Sequence, residues 1–294
     1  AYERFNNLRK TNPQLTTILA LGGWYEGSEK YSDMAKDPVK RKKFVSSAVA
    51  LLQEHDFDGL DVDWEYPSNR GGDKKIDKDD FIALLTELKE AFEPHGFLLS
   101  SALSPGKKTI DSAYDIKKLN ELLDILNVMT YDYHGGWEDT LGHNAPLYKR
   151  PDEHDELSFW FNVNFTVNYY IEKGVDKKKM VMGIPFYGRA WTLQSPDKVK
   201  LNDTAKGMSP AGYITGEEGV LGYNELCEIQ KNQSSEWTVK YDPYYKAPYA
   251  YNKTIWIGYD NVKSISCKVA FLKKMGLSGG MIWAMENDDF KNKC

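Results

Sequence analysis

Residues 57–67 read Phe57-Asp58-Gly59-Leu60-Asp61-Val62-Asp63-Trp64-Glu65-Tyr66-Pro67. Asp61, Asp63 and Glu65 fall at every second position, with Leu60, Val62 and Trp64 between them. Successive side chains of a strand leave on opposite faces. Three acids therefore share one face and three large apolar residues the other. Alone, this pattern describes a strand with one solvated side. Its surroundings change the reading.

Upstream, Leu15–Leu21 is a short apolar run stopped by Gly22-Gly23, which reads as a buried strand. Asp37-Pro38 offers an N-cap and a first-turn proline, and Val39, Phe44, Ala48, Leu51 and Leu52 follow at helical spacing. Downstream, Phe81, Leu84, Leu85, Leu88 and Phe92 predict a helix that Pro94 and Gly96 stop. The alternation continues with a strand over 97–103, a helix over 110–122, a strand over 123–131, a helix over 156–172 and a strand over 179–186. It closes with a helix over 262–275 and a strand over 277–285. Strands alternating with helices and apolar on both faces predict parallel βα units covered by helices. The fold class is α/β, a (β/α)8 barrel with its active site at the C-terminal ends of the strands.

Only six barrel strands can be counted, so a barrel lacking its first two strands is expected, and Ala1–Phe5 reads as the tail of a helix. Residues 191–261 break the rhythm with Tyr, Gly, Pro and short alternating runs. They predict a small α+β insertion before the last barrel strand, with residues 1–190 and 262–294 forming the barrel.

In such a barrel the acidic face of residues 61–65 looks inward. Crowded carboxylates raise one another's pKa. Glu65, the outermost, is best placed to meet substrate with its proton on, as a general acid. A divalent metal is the competing use of three acids. The five His residues, at 55, 95, 134, 143 and 154, give no helical ligand pair, and acids stepping along one strand chelate poorly, so no metal and no cofactor are expected.

Residues 58–65, DGLDVDWE, match at every fixed position the D-G-x-D-x-D-W-E signature of family 18 glycoside hydrolases, the chitinases. The resemblance continues in order through LALGGW (19–24), NVMTYDYHG (127–135), GIPFYGR (183–189), GGMIWAMENDDF (279–290) and Cys294. It is similar to the arthropod type, close to the mite chitinase-like allergens. The resemblance implies an endo-acting, retaining hydrolase of β-1,4-linked N-acetylglucosamine whose nucleophile is the substrate's own acetamide oxygen. It implies that Glu65 protonates the glycosidic oxygen, that Asp63 orients the acetamide and that Asp61 tunes Asp63. Tyr131 and Asp132 correspond to a pair contacting the acetamide. Trp24, Tyr66, Met129, Trp137, Tyr187, Arg189, Glu217 and Trp283 correspond to substrate-binding residues. Met129 and Tyr187 also suit a core, Glu218 rivals Glu217, and Arg189 also suits a plain ion pair.

The resemblance further implies a disulfide between Cys227 and Cys294. Closing that 67-residue separation is worth roughly 4 kcal/mol in the chain-entropy model. Cys267 is left over inside an apolar helix pattern and is expected to be a buried free thiol.

Composition sets outer bounds. The chain has 294 residues, 41% hydrophobic and 28% charged, with a formal net charge of −5. That balance excludes a basic nucleic-acid surface. No run of 18 apolar residues predicts a membrane span. The 19 Tyr, 12 Phe and 8 Trp suit either core filling or sugar stacking. Sequons at Asn164, Asn202, Asn232 and Asn252 hint at secretion. A secreted monomer with chitin and its oligomers as partners is the expectation. The alternatives are a chitin-binding lectin without turnover, and an inactive fragment of the enzyme.

Overall fold

The structure, a computed structural model, describes residues 1–232, 235–292 and 294. The chain divides into two compact units, one formed by residues 1–128 and 170–181, the other by residues 129–169 and 182–294.

The first unit is built on parallel strands β1 (Ile18–Gly22), β2 (Gly59–Asp63), β3 (Leu98–Leu103) and β4 (Ile125–Val128), hydrogen-bonded in that order. Helices α1 (Tyr2–Asn6), α2 (Glu29–Ala35), α3 (Pro38–His55), α4 (Asp77–Phe92), α5 (Lys107–Ala113) and α6 (Ile116–Leu122) connect them. Helix α3 starts where Asp37 accepts from the Val39 and Lys40 amides, with Pro38 in the first turn. Helix α4 buries Phe81, Leu84, Leu85, Leu88 and Phe92, and the chain turns into β3 at Gly96, which is left-handed. Leu60, Val62 and Trp64 are buried on one side of β2, and Trp64 lies between a stacked Tyr31 and an edge-on Phe81. A Cβ on Gly59 would lie 2.3 Å from the Leu98 carbonyl oxygen, so β2 can sit this close to β3 only with glycine there.

The helix expected over 110–122 is two helices. Asp115 accepts from the Lys118 amide and starts α6 afresh, after Tyr114 has left the helical path. The helix expected over 156–172 is likewise α7 (Glu156–Trp160) and α8 (Val163–Glu172), because Asn162 accepts from the Phe165 amide. In both places a short polar side chain competes with the helix for its own backbone.

In the second unit, strand β5 (Met180–Pro185), whose first two residues belong to the first unit, has β12 (Gly279–Trp283) as a neighbour, and the Phe186 amide donates to the Trp283 carbonyl at 2.8 Å. Helix α10 (Val262–Met275) precedes β12, framed by a capping box from Asn261 and Ser264 and by left-handed Gly276. Between them lies an antiparallel sheet of β6 (Tyr187–Leu193), β7 (Ala205–Met208), β8 (Val220–Gly222), β9 (Thr238–Asp242), β10 (Ala247–Tyr251) and β11 (Ile255–Gly258). Its order is β7-β6-β11-β10-β9, with β8 also on β6 and helix α9 (Tyr223–Asn232) following β8. The sheet begins at Tyr187, ahead of the expected insertion boundary at 191. Leu141, Trp191, Leu193 and Trp256 form one of its cores; Ala190, Leu221, Leu226, Trp237, Ala250, Ile257 and Tyr259 form another. A disulfide joins Cys227 of α9 to Cys294. Cys267 is free and half-buried beside the Tyr241 hydroxyl, not fully buried, because it sits at the margin of the apolar face of α10.

Six strands of the βα type, β1–β5 and β12, are present among the described residues, and the fold is that of a (β/α)8 barrel. Among those residues no helix is long and apolar enough to cross a membrane. Asn202 is exposed at φ +68, Asn252 anchors a turn through Thr254 and Ile255, and Asn164 lies on α8 with Thr166 of its sequon buried. Ser234, which completes the Asn232 sequon, lies outside the described residues.

Candidate active site

The first unit carries the acids. Asp61 and Asp63 lie within β2, and Glu65 follows two residues past its end, buried. Asp61 is held from two sides by neutral donors: the Ser100 hydroxyl, its partner across the β2–β3 register, and the Asn127 amide of β4 at 2.9 Å. Burial raises the Asp61 pKa, and these two hydrogen bonds oppose the rise. Asp63 has no such help. Its Oδ1 is buried without a hydrogen-bond partner. Burial first, then the charges of Glu65 and Asp61, push its pKa up to about 8. The crowding expected from the spacing thus acts on the middle acid, which has Asp61 on one side and Glu65 on the other.

Gly22 faces Asp63 across the β1–β2 register, and a Cβ there would lie 2.1 Å from the Asp63 carbonyl oxygen. Gly22 and Gly23 both have positive φ and turn the chain so that Trp24 emerges on a short 3-10 turn, 54% exposed. Past the strand, the Ser28 hydroxyl accepts from Trp64 Nε1 at 2.5 Å and donates to the Tyr66 carbonyl at 2.6 Å. Tyr66 itself is half-buried, and the Glu65–Tyr66 peptide is cis.

The second unit gathers a different set. Tyr187 and Arg189, two residues apart on β6, both donate to Asp132 Oδ1 at 2.7 Å. The Asp132 amide donates to Asn144 Oδ1, whose Nδ2 donates to the Tyr187 carbonyl. Arg189 also faces Glu217 at 3.8 Å and lies 5.1 Å from the Trp137 ring centre. Burial lowers the pKa of its guanidinium, but Asp132 outweighs this and the net shift is upward, so Arg189 stays charged. Tyr131 is buried, edge-on to Tyr187, with its hydroxyl 3.8 Å from Met281 Sδ. Met129, the first residue past β4, is buried. Trp137 lies against Gly135, where a Cβ would meet the ring at 2.1 Å, and Trp283 ends β12; each is 54% exposed. Glu217 is exposed and is the acid that reaches Arg189; no such contact is found for Glu218 among the described residues. Arg189, Asp132, Tyr187, Glu217 and Trp137 thus form one connected cluster.

Sequence reading missed Ser100, Asn127, Asn144 and Arg70. Ser100 and Asn127 had a signal: polar residues inside the otherwise apolar strands LLSSAL and ILNV. Asn144 and Arg70 sit in loops and had none. One grouping of potential metal donors occurs among the described residues, Cys227, Asp289 and Cys294, and the disulfide occupies both sulfurs.

Residues 1–288 match the family described as Glycosyl hydrolases family 18. The chain is 42% identical over 301 residues to "Probable chitinase 10" of Drosophila melanogaster, covering all of this chain and 13% of that protein. It therefore spans a small part of that curated relative. Among solved structures it resembles the Ostrinia furnacalis Group IV chitinase in complex with allosamidin, with 41% identity, a TM-score of 0.96, and 99% of this chain and 78% of that one covered. It also resembles human YKL-39, described as a pseudo-chitinase with retained chitooligosaccharide binding, with 37% identity, a TM-score of 0.91, and 99% and 79% covered.

Proposed function

The chain belongs to glycosyl hydrolases family 18, and from that membership we propose that it hydrolyses β-1,4 bonds between N-acetylglucosamine units of chitin by a retaining, substrate-assisted mechanism. The observation that carries this reading is the acid series itself. Glu65 stands at the end of the series, and Asp63, between Asp61 and Glu65, has its pKa raised to about 8 by burial and by those two acids.

In this reading Glu65 gives its proton to the glycosidic oxygen as the bond from the anomeric carbon to that oxygen breaks. The acetamide carbonyl oxygen of the same sugar attacks the anomeric carbon from the opposite face and forms a cyclic oxazolinium ion. Asp63 orients the acetamide through its proton, and Asp61, fixed by Ser100 and Asn127, sets how firmly Asp63 keeps it. Glu65 then takes a proton from water, which opens the ring with overall retention. Tyr131 and Asp132 contact the acetamide, and Arg189 and Tyr187 hold Asp132 in place for that task. Trp24, Trp137 and Trp283 offer exposed rings on which sugars stack, with Tyr66, Met129 and Glu217 as further binding residues. The disulfide supports a secreted protein, and chitin or its oligomers are the partners of a monomer.

The YKL-39 likeness supports a second reading, a lectin that binds chitooligosaccharides without cutting them. The test is release of fluorophore from a chitobiose conjugate by the wild-type chain and by Glu65→Gln. Turnover is expected to drop about 1,000-fold or more in the variant while hexamer binding persists. Equal turnover in both proteins overturns the mechanism. Tight binding with no turnover in either establishes the lectin.

A further inference from the structure

We propose that Arg70 is a positioning residue that locks the Trp24 ring and the backbone of Glu65 into one preformed unit; this rests on the reading of Trp24 and Glu65 as substrate-facing groups. The Arg70 guanidinium carbon lies 3.5 Å from the centre of the Trp24 ring. Its Nη1 donates to the Trp24 carbonyl at 2.7 Å and to the Glu65 carbonyl at 3.1 Å. Arg70 makes no ion pair among the described residues, so its charge is directed at one ring and two carbonyls.

Each contact answers a local need. Trp24 leaves the sheet on a three-residue turn behind two positive-φ glycines, and more than half of its surface is exposed. A ring so exposed has little packing to fix it. A guanidinium laid over one face holds the ring flat and leaves the opposite face to a sugar; indole gives the strongest attraction of this kind, and a planar guanidinium stacks where an ammonium cannot. Glu65 lies past the end of β2, beyond the strand's own hydrogen bonds, and one carbonyl there is tied to Arg70.

The segment that carries Arg70 is itself anchored. Asp77, fully buried, accepts from the Ser68 amide at 2.9 Å and from the Ser32 hydroxyl at 2.5 Å. A Cβ on Gly72 would lie 2.2 Å from Asp77 Oδ2. Arg70 therefore reaches back from a segment fixed at both ends of the turn. It touches no substrate atom in this scheme; its part is to remove orientational freedom before substrate arrives.

The first readout needs no ligand. In protein labelled with 5-fluorotryptophan, the fluorine resonance of Trp24 is assigned through Trp24→Phe. Arg70→Ala is expected to shift and narrow it, with Arg70→Lys intermediate; an unmoved resonance overturns the proposal. The second is kinetic. With an N-acetylglucosamine hexamer, Arg70→Ala is expected to lower kcat/KM about fivefold, and millimolar guanidinium chloride, unlike equal sodium chloride, should restore part of it. In a Trp24→Ala background the same substitution should cost markedly less. Additive losses overturn the coupling. If the wild-type chain cleaves and Glu65→Gln does not, a silent Arg70→Ala removes this inference alone. If the wild-type chain does not cleave, the proposed function fails, and the fluorine resonance still decides for or against Arg70.

Discussion

Each unit holds a set of acids, and the two sets are treated in opposite ways. In the second unit three carboxylates are met by cations: Asp132 by Arg189 at 2.7 Å, Asp260 by Lys268 at 2.6 Å with both side chains fully buried, and Asp242 by Arg150. In the first unit Asp61 and Asp63 have no ion pair among the described residues; Asp61 receives neutral donors, and Asp63 faces two like charges. The same side chain is held by a cation in one setting and by neutral donors or none in the other. A cation at hydrogen-bond distance fixes where an acid points; its absence, together with like charges, raises the pKa and leaves an acid free to do proton chemistry.

The sharpest way to break this contrast is Lys268→Met. It strands Asp260 as an uncompensated buried charge, and denaturant melts are expected to fall by about 3–5 kcal/mol. Adding Asp260→Asn should recover most of that loss. If the single variant costs less than about 1 kcal/mol, the pair does not hold the charge as described.

Asp63→Asn probes the other side. The folded-state pKa of Asp63 lies above its ordinary value, at about 8. Between the two values the folded chain binds a proton that the unfolded chain lacks. Wild-type stability from this group is therefore complete below its ordinary value and declines as pH rises toward 8. The amide cannot ionise, so Asp63→Asn should match wild type near pH 4. By pH 8 it should exceed wild type by a margin on the order of a few kcal/mol. Turnover should fall at every pH. A gap in stability that does not change with pH means that Asp63 keeps no proton.

The smallest effect is expected from Ser100→Ala. Asp61 loses one of its two neutral donors, which should cost about 1 kcal/mol in thermal or denaturant melts with the fold unchanged. A loss approaching that of Lys268→Met would place Asp61 in the class of the paired acids.

Much of this was legible in the chain. The alternation over 59–65, the Asp37-Pro38 cap and the apolar stripe of α4 are local patterns, and local patterns survive folding. What stayed hidden depends on partners distant in sequence. Nothing near Asp115 or Asn162 outweighs the helical spacing around them until their side chains are seen to cap a new helix. Tyr187 opens the antiparallel sheet because it pairs with Gly222, which no spacing around residue 187 announces. That Asp61 receives two neutral donors while Asp63 receives none follows from where Ser100 and Asn127 fall on the neighbouring strands, a fact of register. Arg70 is a surface arginine until its ring and its two carbonyls are known.

The bond between Cys227 and Cys294, 67 positions apart, turns residues 227–294 into a covalent loop. A protease that nicks the chain anywhere inside that loop releases nothing: both ends stay tethered through sulfur, and the product migrates as an intact chain until a reductant is added. For a protein proposed to work outside the cell, where proteases are met, such a closure allows cuts in exposed turns such as those at Tyr244 or Lys253 to be survived.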